Sequence, residues 1–105
     1  MFLKRATKPR LPNFVIIGAM KCGTTSLYSY LSEHPEVGLS RRKETNFFVA
    51  EKQWVRGIAW YLSQFDAAKP VRGEASPNYT KYPIFRGVAA RLQAVIPDAR
   101  LIYIV

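Results

Sequence analysis

Residues 13–32 read NFVIIGAMKCGTTSLYSYLS, and the fold follows from how they divide. Residues 13–18, NFVIIG, form a short apolar run rich in β-branched side chains and closed by glycine. A run without polar alternation suits a strand buried on both faces, as in a parallel sheet. Thr24–Ser32 then repeats apolar residues at helical spacing, with Leu27, Tyr28 and Leu31 on one face. Between strand and helix lies GAMKCG, whose Gly18 and Gly23 keep the glycine spacing of a nucleotide-binding phosphate loop. The lysine of such a loop follows its second glycine. Here Thr24 stands there, and Lys21 comes three positions earlier.

The rest of the chain continues the alternation. Val37–Leu39 reads as a second short strand, after Pro35 has ended the helix at His34. Residues 53–65, QWVRGIAWYLSQF, have helical spacing interrupted by Gly57, with Trp54, Trp60 and Tyr61 read as core rather than as a stacking platform. Residues 71–74 are extended, and a turn follows at Pro77-Asn78. Residues 84–96 predict a helix after Pro83, with Ile84, Val88, Leu92, Val95 and Ile96 as its stripe. Residues 100–105, RLIYIV, predict another buried strand. Strands and helices in this order imply an α/β fold: a P-loop-like parallel sheet flanked by helices on both faces, in three α/β/α layers. Ligands of such sheets sit at the carboxyl ends of the strands, where the glycine loop lies. Because the sequence stops on a strand, the expectation is a truncated domain: a basic N-terminal arm over 1–12, then the N-terminal part of a larger domain over 13–105.

Composition narrows the partners. The 105 residues carry 16 Lys and Arg against 7 Asp and Glu, a net charge of +9. That charge favours anionic partners: nucleic acid, a membrane surface or a small anion. The cations are scattered and no nucleic-acid-binding motif accompanies them, so no nucleic-acid partner is expected. The first ten residues hold four cations, no acid and no apolar core, which is not a secretory signal. No apolar run is long enough to span a bilayer. One cysteine, Cys22, and one histidine, His34, make neither a disulfide nor a metal site, so no metal is expected and the chain is expected to be cytoplasmic. Cys22 reads as a space-filling residue, with a thiol activated by the helix start as the other reading.

A strand, a glycine loop and a helix start bring backbone N–H groups and a dipole to one place, which suits phosphate or sulfate. Thr24, Thr25 and Ser26 add hydroxyl donors and are expected to cap the helix. With no lysine after Gly23 and no visible Walker-B acid, a magnesium-dependent ATPase or kinase is disfavoured.

The segment GAMKCGTTSL after an apolar strand resembles the 5′-phosphosulfate loop of sulfotransferases, nearest to the heparan sulfate branch and its bacterial relatives. HPEVGLSRRKETNFF is similar to that family's HP-x-V…KE-x-x-FF segment, and GEASPNY to its E-K-[ST]-P-x-Y segment. The resemblance covers most of 13–105. It implies that 3′-phosphoadenosine 5′-phosphosulfate (PAPS) donates a sulfuryl group to a hydroxyl or amine, with a carbohydrate as acceptor. It assigns Lys21 to the leaving oxygen, and Lys21, Cys22, Gly23, Thr24, Thr25 and Ser26 to the 5′-phosphosulfate. It makes Glu44 the general base; the residues alone suit a loop carboxylate paired with Arg41 or Arg42. Lys43 is assigned to the donor sulfate or the acceptor, with a surface cation as the alternative. Glu74, Ser76 and Tyr79 are assigned to the acceptor cleft, with a structural turn as the alternative. Asn46 stands where heparan sulfate enzymes have histidine, and Ala75 where they have lysine, so the carry-over stops short of a glycosaminoglycan acceptor. The family's 3′-phosphate site is expected beyond Val105, so these residues by themselves are expected to bind PAPS weakly. A kinase-like nucleotide binder and an inactive basic binding module are the competing readings.

Overall fold

The computed structural model describes residues 11–19 and 23–104. Its frame is a parallel sheet of β1 (Phe14–Gly18), β2 (Val37–Leu39), β3 (Val71–Ala75) and β4 (Arg100–Tyr103), in the order β2-β3-β1-β4. The helices are α1 (Thr24–Ser32), α2 (Ile58–Leu62) and α3 (Val88–Val95), with 3-10 turns at Trp54–Arg56 and Pro77–Thr80. The expected parallel α/β sheet flanked by helices is the observed one.

β1 lies between β3 and β4, and its alternate side chains serve two cores. Phe14 and Ile16 join Ala75 on one face, covered by Leu27, Tyr28 and Leu31 of α1. Val15 faces the other way, into a core with Phe47, Phe48, Tyr61, Phe65, Val88 and Leu92. That explains why residues 14–17 lack polar alternation: both faces are covered. The register pairs Val15 with Glu74 and Phe14 with Gly73. A Cβ at Gly73 would stand 2.1 Å from the Phe14 ring, so only glycine fits beneath it.

Three expectations are corrected. Residues 53–65 do not form one helix. The segment breaks at Gly57, whose φ of 86° and ψ of 165° leave the helical region, into a 3-10 turn and the short α2. The helix expected from 84 begins at Val88, with Gly87 as its N-cap; Ile84 is 70% exposed and Phe85 packs inward instead. β4 is not buried: Leu101 and Tyr103 are 52% and 53% exposed, because β4 is the outermost strand with only β1 beside it among the described residues. Of the expected arm, residues 1–10 lie outside the described residues. Pro12 is buried, and Leu11 packs on the core and accepts a hydrogen bond from Arg72 Nε.

Candidate active site

All four strands run the same way, so the segments that leave β1, β2 and β3 emerge at one end of the sheet. Those segments carry the residues singled out in the sequence. Gly23, Thr24, Thr25 and Ser26 follow β1, Lys43 and Glu44 follow β2, and Ser76 and Tyr79 follow β3. Lys21 and Cys22 lie outside the described residues.

The start of α1 is made by Gly23. Its φ of 89° is left-handed, and a Cβ there would meet nothing within 4 Å, so the backbone conformation and not crowding calls for glycine. Gly23 is also the N-cap, and no side chain caps the helix. The expectation that Thr24, Thr25 and Ser26 cap it is therefore corrected: a residue with no side chain holds the cap position. Thr24 is buried, Thr25 and Ser26 are exposed, and the first turn holds no acid. An uncapped, acid-free helix start keeps its N–H dipoles for an external anion.

The segment after β2 is held without strand pairing. Ser40 N–H donates to the Gly73 carbonyl at 3.1 Å, and Ser40 Oγ donates to the Arg42 carbonyl at 2.6 Å. Arg41 N–H donates to the Gln64 carbonyl and Arg42 N–H to Gln64 Oε1, each at 3.0 Å. Arg41, Arg42, Lys43 and Glu44 are exposed. The chain then turns inward. Thr45 is fully buried, and Asn46 takes a left-handed φ of 51° and accepts a hydrogen bond from Asn78 Nδ2 at 3.1 Å. Phe47 and Phe48 enter the aromatic core. Phe47 stacks on Tyr61 with centroids 4.4 Å apart, and Phe48 meets Tyr61 and Tyr79 edge-on at 5.2 and 5.6 Å. Such pairs add to the area that these rings bury. The double phenylalanine therefore anchors the segment whose exposed tip is Lys43-Glu44.

Glu74, Ser76 and Tyr79 are not on an open cleft. Glu74 and Ser76 are fully buried and Tyr79 nearly so. Four neutral hydroxyls surround the Glu74 carboxyl. Thr45 Oγ1 and Ser76 Oγ donate to Oε1 at 2.6 and 2.7 Å; Tyr61 and Tyr79 donate to Oε2 at 2.6 and 3.0 Å. Burial lifts the Glu74 carboxyl above the ordinary carboxylate range, and the hydroxyls of Ser76, Thr45, Tyr61 and Tyr79 pull only part of that back. Burial and the neighbouring carboxyl push the Tyr61 and Tyr79 phenols well up, so both remain donors. Sequence reasoning missed Thr45, Gln64 and Asn78, and read Tyr61 only as core. Their signal was faint: short polar side chains beside aromatic pairs, with their partners far off in sequence.

Among the described residues no group of His, Cys, Asp and Glu is placed to hold a metal ion, and no helix is long and apolar enough to cross a membrane. The chain matches no protein-family model. It is 37% identical over 97 residues to the membrane-associated sulfotransferase kil1 of Dictyostelium discoideum, covering 88% of this chain and 20% of the relative. A bifunctional heparan sulfate N-deacetylase/N-sulfotransferase 1 of Caenorhabditis elegans is 33% identical over 102 residues, 93% of this chain and 12% of the relative. The structure resembles a crystal structure of a sulfotransferase from Alicyclobacillus acidocaldarius with a TM-score of 0.73 and 35% identity, over 89% of this chain and 43% of that one. The chain thus spans about a fifth or less of these two curated relatives and less than half of the solved chain.

Proposed function

We propose that this chain, a homologue of sulfotransferases over most of its length, acts in the transfer of a sulfuryl group from PAPS to a hydroxyl or amine of a carbohydrate acceptor. The observation that carries the reading is the start of α1: a left-handed Gly23 with no side-chain cap and no acid in the first turn, at the carboxyl end of a parallel sheet. That arrangement fits an anion approached by backbone N–H groups. Gly23 and the Thr25 and Ser26 hydroxyls would hold the 5′-phosphosulfate, together with Lys21 and Cys22. Thr24, turned inward, would fix the loop.

The donor supplies the sulfuryl group and departs as the 3′,5′-bisphosphate. Lys21 would offset the negative charge that grows on the leaving oxygen as its bond to sulfur breaks. Glu44, exposed at the tip after β2, would take the acceptor's proton as the new bond to sulfur forms. Lys43 would stand beside the donor sulfate or the acceptor. Glu74, Ser76 and Tyr79 would act beneath the acceptor site rather than touch it. A cytoplasmic location belongs to the same proposal and is checked by fractionation.

The test is sulfuryl transfer by the full-length protein from radiolabelled PAPS to a panel of oligosaccharides. Lys21→Ala is expected to lower kcat about 10²- to 10³-fold, and Glu44→Gln about 10²-fold or more. Magnesium-dependent ATP binding would favour a kinase-like protein instead. Undiminished transfer in both variants would refute the roles given to Lys21 and Glu44, and no transfer by the unaltered protein would leave a basic binding module.

A further inference from the structure

We infer that Glu74 is a positioning residue: its carboxyl replaces a partner strand for residues 45–48 and so fixes the direction in which Glu44 points. The inference rests on the reading of Glu44 as the base.

Three consecutive amides carry the argument. Asn46 N–H donates to Ser76 Oγ at 3.1 Å, Phe47 N–H to Thr45 Oγ1 at 3.2 Å, and Phe48 N–H to the Tyr79 hydroxyl at 3.4 Å. A strand would send such amides to the carbonyls of a neighbour. Here each goes to a hydroxyl, and each of those hydroxyls bonds to Glu74. A hydroxyl has one proton and two lone pairs. Once its proton is committed to the carboxyl, its oxygen is left to accept from the backbone. Glu74 therefore sets the orientation of all three hydroxyls with a single side chain. It lies on β3, hydrogen-bonded to β1, so the loop inherits the rigidity of the sheet. Thr45 is the residue next to Glu44, so a shift at Thr45 is passed directly to the base.

The same geometry explains how this glutamate is buried with no cation bonded to it among the described residues. A lysine or arginine would neutralise the carboxyl and draw its oxygens toward one partner. Four hydroxyls share both oxygens and leave acceptors over.

The experiment compares Glu74→Gln with the unaltered full-length protein by amide hydrogen exchange and by steady-state kinetics. Exchange at Asn46, Phe47 and Phe48 should rise at least tenfold, while the β1 amides of Val15 and Ile16 keep their protection. The kcat should fall about tenfold or more with the KM for PAPS unchanged, since misplacing a reacting group costs turnover rather than donor binding. In a Glu44→Gln background the same change should take no further kcat. Unchanged exchange at 46–48, or a kcat loss that multiplies in the Glu44→Gln background, overturns the inference. If Glu44→Gln alone leaves kcat intact, the reading of Glu44 fails, and exchange alone then decides whether Glu74 holds the loop. If Glu74→Gln also loses protection in β1, Ser76→Ala takes its place. That variant removes the acceptor of Asn46 and one donor to Glu74, and faster exchange at Asn46 alone is the supporting result.

Discussion

Replacing Tyr61 with phenylalanine removes one oxygen from the interior and leaves the ring that stacks on Phe47. The lost contact is the 2.6 Å hydrogen bond to Glu74 Oε2, within the range of bonds to a charged acceptor. When Glu74 is ionised, such a bond contributes about 1.5–3 kcal/mol; when the carboxyl is protonated, about 0.5–1.5 kcal/mol. The difference, on the order of 1 kcal/mol, corresponds to somewhat under one further unit on a pKa already raised by burial. The sign follows from that direction. A carboxyl whose folded pKa exceeds its unfolded value gives the folded state its full benefit below the unfolded value near ~4.3, and that benefit is lost as pH rises through the folded value. Tyr61→Phe raises the folded value further, so the stability gap between the two proteins should be constant at low pH and widen as pH rises through the two folded values. Urea unfolding followed by tryptophan fluorescence reads this directly, because Trp54 and Trp60 lie 5.1 and 6.2 Å from Phe47. A gap that stays constant across that range, or narrows with rising pH, would refute the claim that the hydroxyls stabilise the ionised form.

Two further substitutions separate packing from backbone conformation. Gly73→Ala drives a methyl into the Phe14 ring and should cost about 1–3 kcal/mol or more in denaturant unfolding; an unchanged midpoint would mean that Phe14 swings aside freely. Gly23→Ala meets no neighbour yet must hold a left-handed φ, so it should cost about 1–2 kcal/mol. In the PAPS assay the same variant should raise the donor KM, and an unaltered KM would remove the start of α1 from the binding site.

The sheet was legible where burial on both faces erased polar alternation: residues 14–18 announced β1 because nothing there had to meet water. α1 was legible from Thr24 to Ser32 because Pro35 stops it and Leu27, Tyr28 and Leu31 share a face. The 53–65 segment misled because its apolar spacing continues through Gly57 while the backbone does not. Ile84 misled in the same way: it continues the stripe of α3, but the helix begins only after Gly87. The anion loop and Glu44 were singled out through ordered motifs, which need no tertiary knowledge. The surroundings of Glu74 were not, because Thr45, Tyr61, Ser76 and Tyr79 arrive from three separate segments. A buried carboxylate with neutral partners leaves no charge pair in the sequence to betray it.

Asn46 has a consequence for how such a site changes over generations. Its left-handed backbone admits few side chains without strain, and asparagine, aspartate and histidine are the non-glycine residues most at home there. Histidine is the residue that the resembled heparan sulfate enzymes carry at this place. The loop beside Glu44 therefore offers a short alphabet whose members differ in charge and reach but leave the main chain alone. The side chain presented near Glu44 can change by exchange at this one position, without rebuilding the segment that holds Glu44.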